Sequence, residues 1–124
     1  MKPLRPKLPS LSAQPDKSAG ALLNRLQVVG QLCERKPLRH TPAGLPVAEA
    51  RLKHQSEQLE AGLPRQVVCE IPLLALGSEA RWLDVAPLGA AVRVSGFLAA
   101  KSRSSRTLVL HVQEIEFLEG NQNG

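Results

Sequence analysis

The segment Lys101-Ser102-Arg103-Ser104-Ser105-Arg106 places three cations and no acid in six residues, between two runs of alternating apolar residues. Its composition suits a polyanion. Small serines leave the long basic side chains unobstructed to track phosphates, whose neutralisation dominates the affinity of most nucleic-acid binders. A basic hairpin tip also keeps sheet edges solvated and apart, so the segment alone leaves two readings, a polyanion clamp or a solubility device.

The other reactive side chains do not assemble into a catalytic pattern. His40, His54 and His111 fall in three separate elements without a close Cys or His partner, so they lack metal-ligand spacing. His54 and His111 lie on strand-like segments, suited to hydrogen bonds in or beside a core, while His40 in a basic connection adds charge when protonated. Ser102, Ser104 and Ser105 have no Gly-x-Ser-x-Gly elbow around them, and Gly44 and Gly62 are single turn glycines, not a phosphate-cradling run. The expectation is a binding protein, not an enzyme, with no metal and no cofactor. Cys33 and Cys69, two thiols in separate strands, are expected as buried reduced residues filling core space. The aromatic residues are Trp82, Phe97 and Phe117, with no tyrosine. Phe97, after a strand glycine, reads as barrel packing before a base-stacking ring, Trp82 as the cover of a barrel end and Phe117 as terminus packing.

These groups must be positioned by a small fold. The 124 residues make one domain with a single core. Residues 1–23, punctuated by Pro3, Pro6, Pro9 and Pro15, read as a disordered basic arm that carries +3 of the net +5. The globular part is therefore only mildly basic, and nucleic-acid binding has to be argued from where its charges cluster. No apolar run is long enough to span a bilayer and no secretory signal is evident, which gives a soluble, cytoplasmic expectation.

Period-two alternation predicts strands over Asn24–Arg35, Val47–Gln55, Arg65–Leu74, Ala91–Ala100 and Thr107–Leu118. A basic connection with Arg35, Lys36, Arg39 and His40 leads into a Pro42–Pro46 turn. Residues 56–64 read as a polar loop, 75–87 as a mixed segment with one or two helical turns, and 119–124 as a polar tail. Gly30 and Gly96 sit inside strands, where glycine marks a bulge or a sharp bend. Five strands broken between the third and fourth, with two bend glycines, predict an all-β, five-stranded Greek-key OB-fold barrel over residues 24–118. A sandwich would want about seven strands.

The chain resembles the bacterial primosomal replication protein N (PriB) family, OB-fold relatives of single-stranded DNA-binding protein. The resemblance rests on Asn24-Arg25-Leu26, Gly30, Cys33, the Pro42–Pro46 turn, Leu52, His54, Ser56, Glu60-Ala61-Gly62, Arg65-Gln66, Cys69 and Pro72. It continues through Gly96-Phe97, the basic loop, Val109-Leu110-His111, Gln113, Ile115 and Glu116.

The resemblance implies a homodimeric replication-restart factor that binds single-stranded DNA, assists the PriA helicase and passes the complex toward DnaT. The family's DNA-contacting loop falls on Lys101, Arg103 and Arg106, and a family arginine on Arg65, with Lys53 outward nearby. Arg39 and Gln55 belong to the surface implied for DNA. Where the family can carry stacking aromatics, Leu63 and Val68 stand here, and Gln55 occupies a position that can be basic. Binding is then expected to be mainly electrostatic, since each lost base stack removes on the order of 1 to 3 kcal/mol. The rival expectation is a protein-interaction adaptor for the helicase with weak DNA contact; RNA binding by a generic basic OB domain is a third, disfavoured by the length of the resemblance.

Overall fold

A computed structural model describes residues 22–118. The expected tail lies outside these residues, as does the expected arm except for Leu22 and Leu23, which are exposed and in no regular element. Six strands and a helix follow one another: β1 (Leu26–Arg35), β2 (Arg39–His40), β3 (Pro46–Glu60), β4 (Leu63–Leu76), α1 (Ser78–Val85), β5 (Ala91–Ala100) and β6 (Leu108–Phe117).

The sheet runs β1-β5-β6-β4-β3-β2, and an additional β1–β3 pairing closes it. Five strands thus make the expected barrel, and the two-residue β2 hangs on the edge of β3. All pairings are antiparallel except β4 with β6, where Leu73 lies opposite Leu110 and Leu74 opposite His111. Each barrel strand sends at least one large aliphatic side chain inward: Leu32, Leu52, Leu73, Leu110, Val92 and Val94 are fully buried. Burying a residue of this size contributes about 1.5 to 3 kcal/mol, so this cluster holds the barrel together.

Both strand glycines stand where backbones nearly touch. β1 pairs with β5 over Leu26–Gln31 and then with β3 over Gln31–Arg35. At the changeover a Cβ on Gly30 would lie 2.4 Å from the Lys53 carbonyl oxygen. At the β5–β6 irregularity between Ser95 and Gly96, a Cβ on Gly96 would lie 1.7 Å from the His111 carbonyl oxygen. That irregularity leaves Gln113 without an opposite residue and shifts the inward phase of β6 from Leu110 and Val112 to Ile115.

Three expectations are corrected. Residues 56–64 are not a loop: β3 and β4 pair continuously from Val47–Leu76 to Glu60–Leu63 and turn through Ala61 and Gly62 alone, both with positive φ. That sign at both central residues is what a tight two-residue hairpin turn demands. The projecting end of the hairpin has solvent on both sides, so it needs no apolar alternation, and its polar sequence hid the strands.

The cysteines are both exposed. Cys33 follows the inward Leu32, so alternation turns it out of the barrel, at the point where the β1–β3 register shifts between Leu32 and Glu34; Cys69 pairs with His54 toward the projecting hairpin. Phe97 is the third correction. It is half-buried and absent from the core cluster, and it stacks on His111.

The mixed segment contains α1, preceded by Gly77 and stopped by the extended Ala86 before Pro87. The residue before a proline is driven out of helical geometry, which ends the helix there. Ala80 and Leu83, one turn apart, are buried with Ala86 in the barrel core cluster. Trp82 points the other way, more than half exposed, and meets Phe117 edge-to-face at 6.3 Å. Among the described residues no helix is long and apolar enough to cross a membrane.

Candidate nucleic-acid interface

The closed barrel brings together two connections far apart in sequence. Residues 36–45, between β1 and β3, and residues 101–107, between β5 and β6, rise over the outer face of β3 and β4 and flank an open cleft of about 390 Å³. Arg35, Lys36 and Arg39 line it from one side, Lys101 and Thr107 from the other, and Arg51 and Pro72 from the sheet. Loops in these positions over these strands are where oligonucleotides bind this barrel architecture.

The basic loop is held together internally. The Lys101 amide donates to the Thr107 carbonyl at 2.9 Å, and the Ser105 amide to the Ser102 carbonyl at 3.1 Å. The Ser105 hydroxyl accepts from the Thr107 amide at 3.0 Å. Serine therefore shapes the turn as well as keeping it small. Lys101, Arg103 and Arg106 are exposed, and none has an acidic partner among the described residues.

The cations on the other side of the cleft are already engaged. Glu49 accepts from Arg39 Nη2 at 2.8 Å and faces Lys36 Nζ at 3.6 Å. Arg51 Nε lies 3.1 Å from Glu34 and 3.7 Å from Glu70. The Arg39 hydrogen bond holds the Glu49 carboxyl below its usual pKa, with Lys36 and Arg39 charge adding to this and burial opposing it. Glu49 stays charged at neutral pH and bridges the two cations. The stabilisation from this pairing is present above the ordinary carboxylate pKa and is lost as pH falls through the lowered folded value.

The expected hairpin residues do not share one face. Register places Lys53, Gln55 and Val68 with Arg51 on the cleft side, whereas Arg65, opposite Gln58, and Leu63, opposite Glu60, have the other parity. Arg65 is also paired, with Nη1 2.9 Å from Glu60 Oε1. Leu63 and Val68 are 66% and 60% exposed, so a ligand can reach them, but neither offers a ring. Lys53 is exposed and, among the described residues, without an acid in ion-pair range.

His54 braces the root of this hairpin. The Val29 carbonyl can only accept, so His54 donates from Nδ1 at 2.7 Å, and its Nε2 lies in hydrogen-bond contact with the Ser56 hydroxyl at 2.8 Å. Gln58 Nε2 donates to the same hydroxyl oxygen at 2.9 Å. These contacts give His54 a positioning role. Among the described residues no three His, Cys, Asp or Glu side chains cluster to hold a metal.

The sequence reading missed Arg35, Lys36, Arg51 and His111 as cleft residues. The basic connection was visible as a charge run, but Arg51 looked like one of several solvated strand charges and His111 like a core-side histidine. Only closure of the barrel places them around one space.

Residues 24–114 match the family described as another single-strand binding protein family. The replication restart protein PriB of Bordetella pertussis is 41% identical over 99 residues, spanning 80% of this chain and 92% of that protein. PriB of Neisseria meningitidis serogroup B is 42% identical over 98 residues, spanning 78% and 97%. Among solved structures, PriB from Ralstonia solanacearum aligns with a TM-score of 0.71 at 38% identity, covering 77% of this chain and 98% of that one. The wild-type single-stranded DNA binding protein from Thermus aquaticus aligns at 0.65 with 27% identity, covering 80% and 52%. With the barrel, its cleft and these relatives in agreement, the chain belongs to the replication restart protein PriB family, within the single-strand binding proteins of OB-fold.

Proposed function

We propose that this chain is a non-enzymatic single-stranded DNA-binding accessory protein of replication restart, acting in the cytoplasm as a homodimer. It stabilises the PriA helicase on DNA and promotes further primosome assembly with DnaT. The observation that carries the reading is the group of cations Lys101, Arg103 and Arg106, without an acidic partner among the described residues, on a braced loop beside the cleft. The names and folds of the relatives support the same role. The β1 edge along Leu26–Gly30, paired only on its β5 side among the described residues, is the surface proposed for the second copy.

Titrating labelled single-stranded and duplex oligonucleotides across salt concentrations tests this. Preference for the single strand is expected, with a slope of log affinity against log salt near −3.5 if about five phosphates are contacted per subunit. Salt-insensitive association would overturn it.

A second reading is favoured by the engaged carboxylates and the ringless Leu63 and Val68: the barrel chiefly contacts the helicase, with DNA secondary. Glu49→Gln separates the two. Freeing Arg39 and Lys36 for phosphate is expected to raise single-strand affinity about fivefold at 0.1 M salt for each additional phosphate neutralised, and to steepen the salt slope by about 0.7. If the cleft does not meet DNA, filter binding will show the variant and the unaltered chain to be equal.

A further inference from the structure

The hairpin lacks the expected stacking rings at Leu63 and Val68, yet one pair of rings stands beside the cleft. Phe97 on β5 and His111 on β6 are cross-strand partners. Their centroids are 4.9 Å apart with planes inclined by 11°, a face-to-face stack. His111 lines the cleft, next to Leu74 across the parallel β4–β6 pair. Both rings are half-buried, on the outer face of the sheet, since their neighbours Gly96 and Val112 on one side and Leu98 and Leu110 on the other turn inward. The remaining Trp and Phe rings, Trp82 and Phe117, pair with each other beside the helix.

One face of the imidazole is covered by Phe97. His111 lines the same cleft as Lys36, Arg39, Arg51 and Lys101. A ring held at a fixed plane beside a phosphate track is what base stacking needs, because little rotamer freedom is lost when the base arrives. Histidine serves as such a platform for unpaired bases as the larger aromatics do.

We propose that His111 is a nucleobase-stacking platform of the cleft, and that Phe97 is the positioning residue that holds its plane. This deepens the single-strand reading above and rests on it. The stack supplies, at a different place on the sheet, part of what Leu63 and Val68 cannot.

The test uses the full chain with three probes: oligo-dT, the same length of abasic strand, and oligo-dT carrying one 2-aminopurine. His111→Ala is expected to weaken oligo-dT binding on the order of tenfold or more, to leave abasic-strand affinity and the salt slope unchanged, and to reduce 2-aminopurine quenching. His111→Phe, which keeps a ring and removes the titratable nitrogens, is expected to bind like the unaltered chain. Phe97→Leu is expected to weaken oligo-dT alone, by less. Equal oligo-dT binding by His111→Ala would overturn the proposal. So would a loss shared by His111→Phe and by the abasic strand, with a slope shallower by about 0.7, which identifies a phosphate contact instead. If the unaltered chain binds no single strand at all, the functional reading itself fails, and this inference falls with it.

Discussion

Changing Lys101, Arg103 and Arg106 together to alanine is expected to lower affinity for single-stranded DNA by about a hundredfold at 0.1 M salt. Each phosphate contact on a single strand releases roughly 0.7 counterion, a factor of about five at that concentration, and three contacts compound. The slope of log affinity against log salt should become shallower by about 2. The fold should not suffer, because all three side chains are exposed and unpaired among the described residues, and the loop is braced by backbone groups and Ser105. Fluorescence anisotropy over a salt series, with thermal unfolding as the control, checks both statements. Retained DNA binding with lost helicase association would make the loop a protein contact and leave the adaptor reading standing.

Gly96→Ala is expected to have the largest effect on stability, about 4 kcal/mol or more, in the range reserved for direct collisions and buried defects. The added methyl would lie 1.7 Å from the His111 carbonyl oxygen and 2.8 Å from its carbon. Neither atom can retreat without opening the β5–β6 ladder at its irregularity. A domain with net stability of about 5 to 15 kcal/mol would lose much of it. Gly62→Ala is the contrast. At φ 80° it carries backbone strain, but nothing lies within 4 Å of the new methyl, so a cost of about 1 to 2 kcal/mol is expected. Urea unfolding of the two variants should separate them clearly, and a mild effect at Gly96 would mean that the strands part more easily there than their geometry shows.

Much of this molecule could be read along the chain. Alternation located all five barrel strands, because Leu32, Leu52, Val92, Val94 and Leu110 each had to recur every second residue to reach one core. Gly30 and Gly96 announced places where strands bend or crowd, and both stand against a neighbouring backbone. The basic loop was evident because composition alone marks it. Where alternation has no core to report, it failed: the hairpin end over residues 57–64 is exposed on both faces, and its strands are held by backbone pairing that any side chain permits.

Residue order thus settled the strands, the bend glycines and the cationic loop, each a property of a short stretch. Barrel closure settled the rest. Glu49 captures Lys36 and Arg39 across a turn, Arg51 lies between Glu34 and Glu70, and Phe97 meets His111, all through pairings between strands. A period of two tells which side of its own strand a residue occupies, but not which strand lies beside it or where a bulge resets the phase. Cys33 shows the difference from the other side: alternation with the inward Leu32 already turned it outward, and it is exposed where the β1–β3 register shifts, not in the core that its residue type suggested.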